Sequence, residues 1–169
     1  MCGACHTGTE KENLENLTDT KKMLKRIICV GNRLMQEDIA GPMVFDQLAT
    51  RSLPNDVELI DGGLAGLDLL RFISGADLVI FVDTLNGFES SNPVRIVSID
   101  DAARHADAIF DHSAGLTYLL QILPHVHEGK LPEIFLVGIE DLADPHEITN
   151  AAELCLELIQ QNISHGLNK

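Results

Sequence analysis

Positive charge is scarce in this chain. Its 169 residues carry 12 Lys and Arg against 26 Asp and Glu, a formal net charge of −14. So few cations argue against a nucleic-acid binder, whose phosphates must be met by Lys and Arg, and against an anionic membrane surface. A basic partner or a cation is the better match. Long apolar runs are missing too. Nothing approaches the ~18 residues that a membrane span requires, and the longest candidates, Leu78–Val82 and Ile134–Ile139, have the length of strands. The N-terminus lacks the apolar centre of a signal peptide, so a cytoplasmic location is expected. Tryptophan is absent and tyrosine occurs once, yet 45% of the residues are hydrophobic. That fraction is ordinary for a globular chain, and the length suits one domain.

Several catalytic signatures are absent as well. The chain has no Gly-x-Ser-x-Gly elbow, no His-Glu-x-x-His pair and no Walker loop. Val30-Gly31-Asn32 is not a dinucleotide fingerprint, because Cys29 stands where the preceding glycine belongs and the later glycines are missing. Of the cysteines, Cys29 in an apolar strand and Cys155 in a helical pattern read as small buried hydrophobes. Cys2 and Cys5 with His6 have the spacing of a covalent haem site, which would need an export signal. They fit a transient soft-metal contact or an incidental tail, since no second cysteine pair closes a tetrahedral site.

What is present is an alternation of strand and helix patterns. Residues 1–25 are polar and are expected to form a flexible extension, with a single domain over 26–169. Short apolar runs at Arg26–Val30, Val57–Ile60, Asp77–Asp83 and Ile134–Ile139 read as buried parallel strands, and Val94–Ile99 as an edge strand, antiparallel in orientation. Helical spacing is found over Ile39–Thr50, with Pro42 in its first turn, and over Leu67–Ile73, Asp100–Ala108, Ser113–Leu123 and Glu147–Ile163. This order predicts a three-layer α/β/α domain around a mainly parallel, twisted sheet of about five strands. Charge is uneven along it. Residues 1–26 hold five bases and four acids, whereas seven acids and only Lys169 follow Leu131; that stretch reads as a solvated acidic face or a docking surface.

In an open parallel sheet, ligands bind beyond the carboxyl ends of the strands. There the sequence places Gly31, Asn32, Glu37 and Asp38 after the first strand and Asp61-Gly62-Gly63 after the second. Asp83 ends the third, and Asp111-His112 precedes the leucine-rich helix. These are oxygen and nitrogen donors for a divalent metal, without a protein nucleophile. Taken singly, each residue also fits a structural part. Glu37 and Asp38 suit the start of a helix, Asp83 a turn, His112 a loop, and Gly62-Gly63 a tight bend.

In combination, the residues resemble the nickel–iron hydrogenase maturation endopeptidases. Gly31-Asn32 through Glu37-Asp38 to Gly41-Pro42 looks like the first signature of that family. Asp61-Gly62-Gly63-Leu64-Ala65-Gly66 is similar to the second, and Val82-Asp83-Thr84 to the third. Asp111-His112-Ser113 fits the fourth, and Val137-Gly138-Ile139 matches the last strand. The matches run in order from Arg26 to Ile163. The resemblance implies a fold of the phosphorylase/hydrolase-like type and a protease that cuts the C-terminal extension from the hydrogenase large-subunit precursor after nickel insertion. It assigns catalysis and metal contact to Asp38, Asp83 and His112, with Glu37 as the reserve ligand. Many members carry Glu where this chain has Asp38, which keeps a carboxylate but shortens its reach. The metal implied is nickel, the substrate's own, or another divalent ion in its place. Gly31, Asn32, Asp61, Gly62 and Gly63 would form the loops along which substrate approaches, with Asp61 open to a purely structural role. Two other readings compete: a non-catalytic nickel-binding assembly factor, suggested by the acidity, the seven histidines and Cys2-Cys5-His6, and a small-ligand-binding α/β module.

Overall fold

The computed structural model describes residues 23–85, 92–104, 114–140 and 144–166. The expectations about residues 1–22, among them Cys2, Cys5 and His6, lie outside these. The elements in order are β1 (Lys25–Val30), α1 (Ala40–Ala49), β2 (Val57–Gly63), α2 (Leu70–Ile73), β3 (Leu78–Leu85), β4 (Val94–Ser98), α3 (Ile99–Arg104), α4 (Ala114–Val126), β5 (Glu133–Glu140) and α5 (Pro145–Gly166). Short 3-10 turns at Gln36–Asp38 and Gly66–Leu69 lead into α1 and α2.

The strands form one sheet in the order β2-β1-β3-β5-β4. All pairs are parallel except β4 with β5. The antiparallel edge strand and the parallel interior agree with the sequence patterns. Every residue of β3 is buried, because the strand is paired on both sides and covered on both faces, which is why it reads as an unbroken apolar run.

Alternation along the strands divides the core in two. Ile27, Cys29, Ile80 and Val82 face α1 and α5, where Val44, Leu48, Ala151 and Cys155 meet them. Ile28, Val30, Val79 and Phe81 face the other layer, and Leu116, Leu119, Leu120 and Leu123 of α4 complete it. The result is the three-layer α/β/α architecture. Pro42 sits in the first turn of α1, where its missing N–H has no intrahelical acceptor to lose.

One strand differs from its pattern. β2 continues through Asp61-Gly62-Gly63, where the glycines suggested a stop. Cys29 pairs with Asp61 but Val30 with Gly63, so Gly62 is an extra residue, a bulge. A Cβ on Gly62 would lie 3.0 Å from both the Cys29 carbonyl oxygen and the Ile28 side chain. The position therefore serves sheet packing. Lys25 opens β1 with its side chain 1% exposed and its ammonium 3.1 Å from Asp56 Oδ2. Leu24 donates its N–H to Asp77 and accepts from the Asp77 N–H, so the ordered sheet begins slightly ahead of the expected boundary.

Burial pushes the Cys29 thiol well above its ordinary pKa and the Cys155 thiol to about 12. A thiol must ionise to be alkylated. Iodoacetamide at pH 8 is therefore expected to leave both peptides unlabelled in the native protein and to label them in guanidinium. Peptide mapping by mass spectrometry checks this, and native labelling at Cys29 or Cys155 would contradict it.

Candidate active site

The sheet order reverses between β1 and β3: the chain passes from β1 outward to β2 and then returns to β3 on the other side. Such a switch point opens a crevice at the carboxyl ends of the two strands. The two carboxylates assigned first by the resemblance, Asp38 and Asp83, stand there.

Asp38 ends the 3-10 turn after β1 and is 3% exposed, while its neighbour Glu37 is turned to solvent. The turn closes a tight loop. Asn32 N–H donates to the Asp38 carbonyl at 2.8 Å, Asp38 N–H to Met35 at 3.1 Å, and Gly31 N–H to the Gly63 carbonyl at 3.0 Å. Gly31 has φ 139°, and a Cβ there would overlap the Asp38 carbonyl and lie 3.4 Å from Asp38 Oδ1. Only glycine lets the loop fold back this closely over the acid. Asp83 is fully buried near the end of β3, and its Oδ1 accepts the Thr84 N–H at 2.8 Å. Since Val82 pairs with Cys29, Asp83 lies level with Val30, one residue before Gly31. The turn carrying Asp38 packs against β3. The Oγ of Thr84 is buried with no hydrogen-bond partner among the described residues.

The other expected site residues fall around this corner. Gly63 has φ 50° and open space beside it. His112 lies outside the described residues. Gly115, three positions later in the chain and in the first turn of α4, is in close backbone contact with Gly66, so the start of that helix stands beside the loop after β2. Among the described residues no group of three His, Cys, Asp or Glu gathers to hold a metal.

Asp61 is bound to a residue that the sequence did not single out. Arg33 donates to Asp46 with Nη1 at 2.8 Å and Nη2 at 3.0 Å, and to Asp61 Oδ2 with Nη2 at 3.0 Å and Nε at 3.3 Å. Its guanidinium lies 5.8 Å from the ring centre of Phe45. The hydrogen bond from Arg33 holds the Asp46 carboxyl below its usual range. A lowered carboxyl contributes above its ordinary pKa and loses that contribution as the pH falls through the lowered value. The Arg33–Asp46 pair thus survives mild acid. Its partners, 13 and 28 positions away, left no local signal in the sequence.

Fold and site together define an α/β protein with two buried carboxylates at the switch point of its sheet. A family model of hydrogenase maturation proteases matches residues 42–164, and the chain belongs to that family. The match begins just past the Asp38 loop. The chain is 29% identical over 149 residues to the hydrogenase 2 maturation protease of Escherichia coli K12, covering 85% of this chain and 90% of that protein. It is 30% identical over 117 residues to the hydrogenase 3 maturation protease of the same organism, covering 68% and 70%. Among solved structures, the hydrogenase maturating endopeptidase HybD from E. coli superposes with a TM-score of 0.70 at 26% identity, covering 83% of this chain and 94% of that one. No helix among the described residues is long and apolar enough to cross a membrane.

Proposed function

We propose that this protein is the endopeptidase that removes the C-terminal extension of a nickel–iron hydrogenase large-subunit precursor after nickel insertion, and that it recognises the nickel already bound there. The observation that carries the reading is that two buried carboxylates, Asp38 and Asp83, both stand at the switch point in a member of the maturation protease family. Carboxylate oxygens are good donors to a divalent cation, and an imidazole suits nickel. Asp38, Asp83 and His112 would together supply three protein donors to a metal that the partner brings. Three donors leave coordination positions for the partner's own ligands.

In this reading the nickel is part of the substrate, and it registers the precursor over the crevice. Either carboxylate can then take a proton from the attacking water and return it to the leaving amine, the ordinary work of a general base and acid. The loop Gly31–Asn32 and the open side of Gly63 border the path of the extended substrate chain. In this reading the protein works in the cytoplasm.

The test is to mix the purified protein with nickel-loaded and nickel-free precursor and weigh the products by mass spectrometry. The loaded precursor is expected to lose its C-terminal peptide and the nickel-free one to stay intact. An uncut loaded precursor would overturn the proposal, and equal cutting of both would remove nickel from it.

A further inference from the structure

We infer that Arg33 is a positioning residue, a latch that fixes the Asp38-bearing loop against β2 and α1. The inference deepens the proposed function and rests on it for its catalytic readout. Arg33 lies on the exposed side of the loop, whereas Asp38 lies on the buried side. Its planar guanidinium bridges two elements at once, with a two-point contact to Asp46 on α1 and a shared contact to Asp61 on β2. A lysine ammonium lacks the planar fork, so it could not reproduce the two-point contact to Asp46 together with the bridge to Asp61.

The inner hydrogen bonds of the loop, Asn32 to Asp38 and Met35 to Asn32, close it on itself. Only the Gly31–Gly63 bond and Arg33 join it to β2 in the hydrogen bonds described. At its tip Leu34 is 94% exposed. An unlatched loop would be free to fold that leucine inward and carry Asp38 away from Asp83. Small displacements of a catalytic group cost large factors in rate, so a latch set apart from the two acids still governs their geometry. Asp61 thereby gains a definite role, as the anchor of the latch on the glycine-bearing strand.

The test compares wild type with Arg33→Met, Arg33→Lys and Asp61→Asn. Amide hydrogen exchange is read over residues 32–38 and, as a reference, over β3; processing of the loaded precursor is read as kcat and KM. Arg33→Met is expected to speed exchange in the loop about tenfold or more while β3 is unchanged, because local opening is reported separately from global unfolding. Its kcat is expected to fall about tenfold with KM nearly constant, the sign of lost positioning. Arg33→Lys should recover part of each, and Arg33→Met with Asp61→Asn should be less than additive. Unchanged loop exchange in Arg33→Met overturns the latch. So does a rise in KM with kcat preserved, which would make Arg33 a substrate contact. If wild type cuts no precursor, the proposed function fails, while the exchange measurement still decides whether Arg33 holds the loop.

Discussion

Asparagine in place of Asp38 or of Asp83 is expected to lower processing of the nickel-loaded precursor roughly 10²- to 10⁴-fold, the range typical of a lost general acid or base. The substitution preserves shape and removes charge. In Asp83→Asn the side-chain oxygen can still accept the Thr84 N–H, which stands at 2.8 Å in the native protein. In Asp38→Asn the loop keeps its backbone bonds from Asn32 and to Met35. Melting temperatures close to wild type are therefore expected, and they separate loss of chemistry from loss of fold. Rates measured with saturating loaded precursor check the prediction. Variants that cut as fast as wild type would place the chemistry elsewhere.

Gly41→Ala is expected to damage fold and activity together. A Cβ at Gly41 would overlap the Val30 carbonyl oxygen and lie 3.0 Å from that of Val82. Both obstacles are backbone atoms of central strands and cannot rotate away, so the first turn of α1 must back off the sheet. Overpacking of this kind costs roughly 3 kcal/mol, a fall in melting temperature of roughly 5–10 °C for a domain of this size. The turn ending in Asp38 joins this helix directly, so processing should fall further than stability alone explains. Gly138→Ala is the control. The atoms nearest to its Cβ belong to the Leu85 side chain, which can shift more readily than strand backbone, so a smaller loss is expected. Calorimetry and a processing assay on both variants check the order.

Much of the fold was legible because its patterns are local. The apolar run of β3 declared a strand buried on both faces, and Leu116, Leu119, Leu120 and Leu123 declared the inward face of α4. Strand order is a long-range property with no such trace, and it is strand order that brings the ends of β1 and β3 together. The bulge at Gly62 was hidden because glycine more often ends a strand than extends one. At the site, spacing alone left the paired acids Glu37 and Asp38 equivalent and only the family resemblance put Asp38 first; the 3-10 turn buries Asp38 and exposes Glu37. The glycine of the Gly41-Pro42 pair stood out as a motif, but its cause, contact with two strand ends, appears only in three dimensions.

The two acids stand on supports of unequal strength. Asp83 belongs to a strand bonded on both sides and buried throughout, among the last segments that thermal fluctuation should release. Asp38 belongs to a loop at the rim, outside the strand ladder, tied to β2 by the Gly31–Gly63 bond and by Arg33. Local opening at the rim, if the latch is the weaker support, is then expected to separate the pair before the sheet opens, with activity lost while the fold persists.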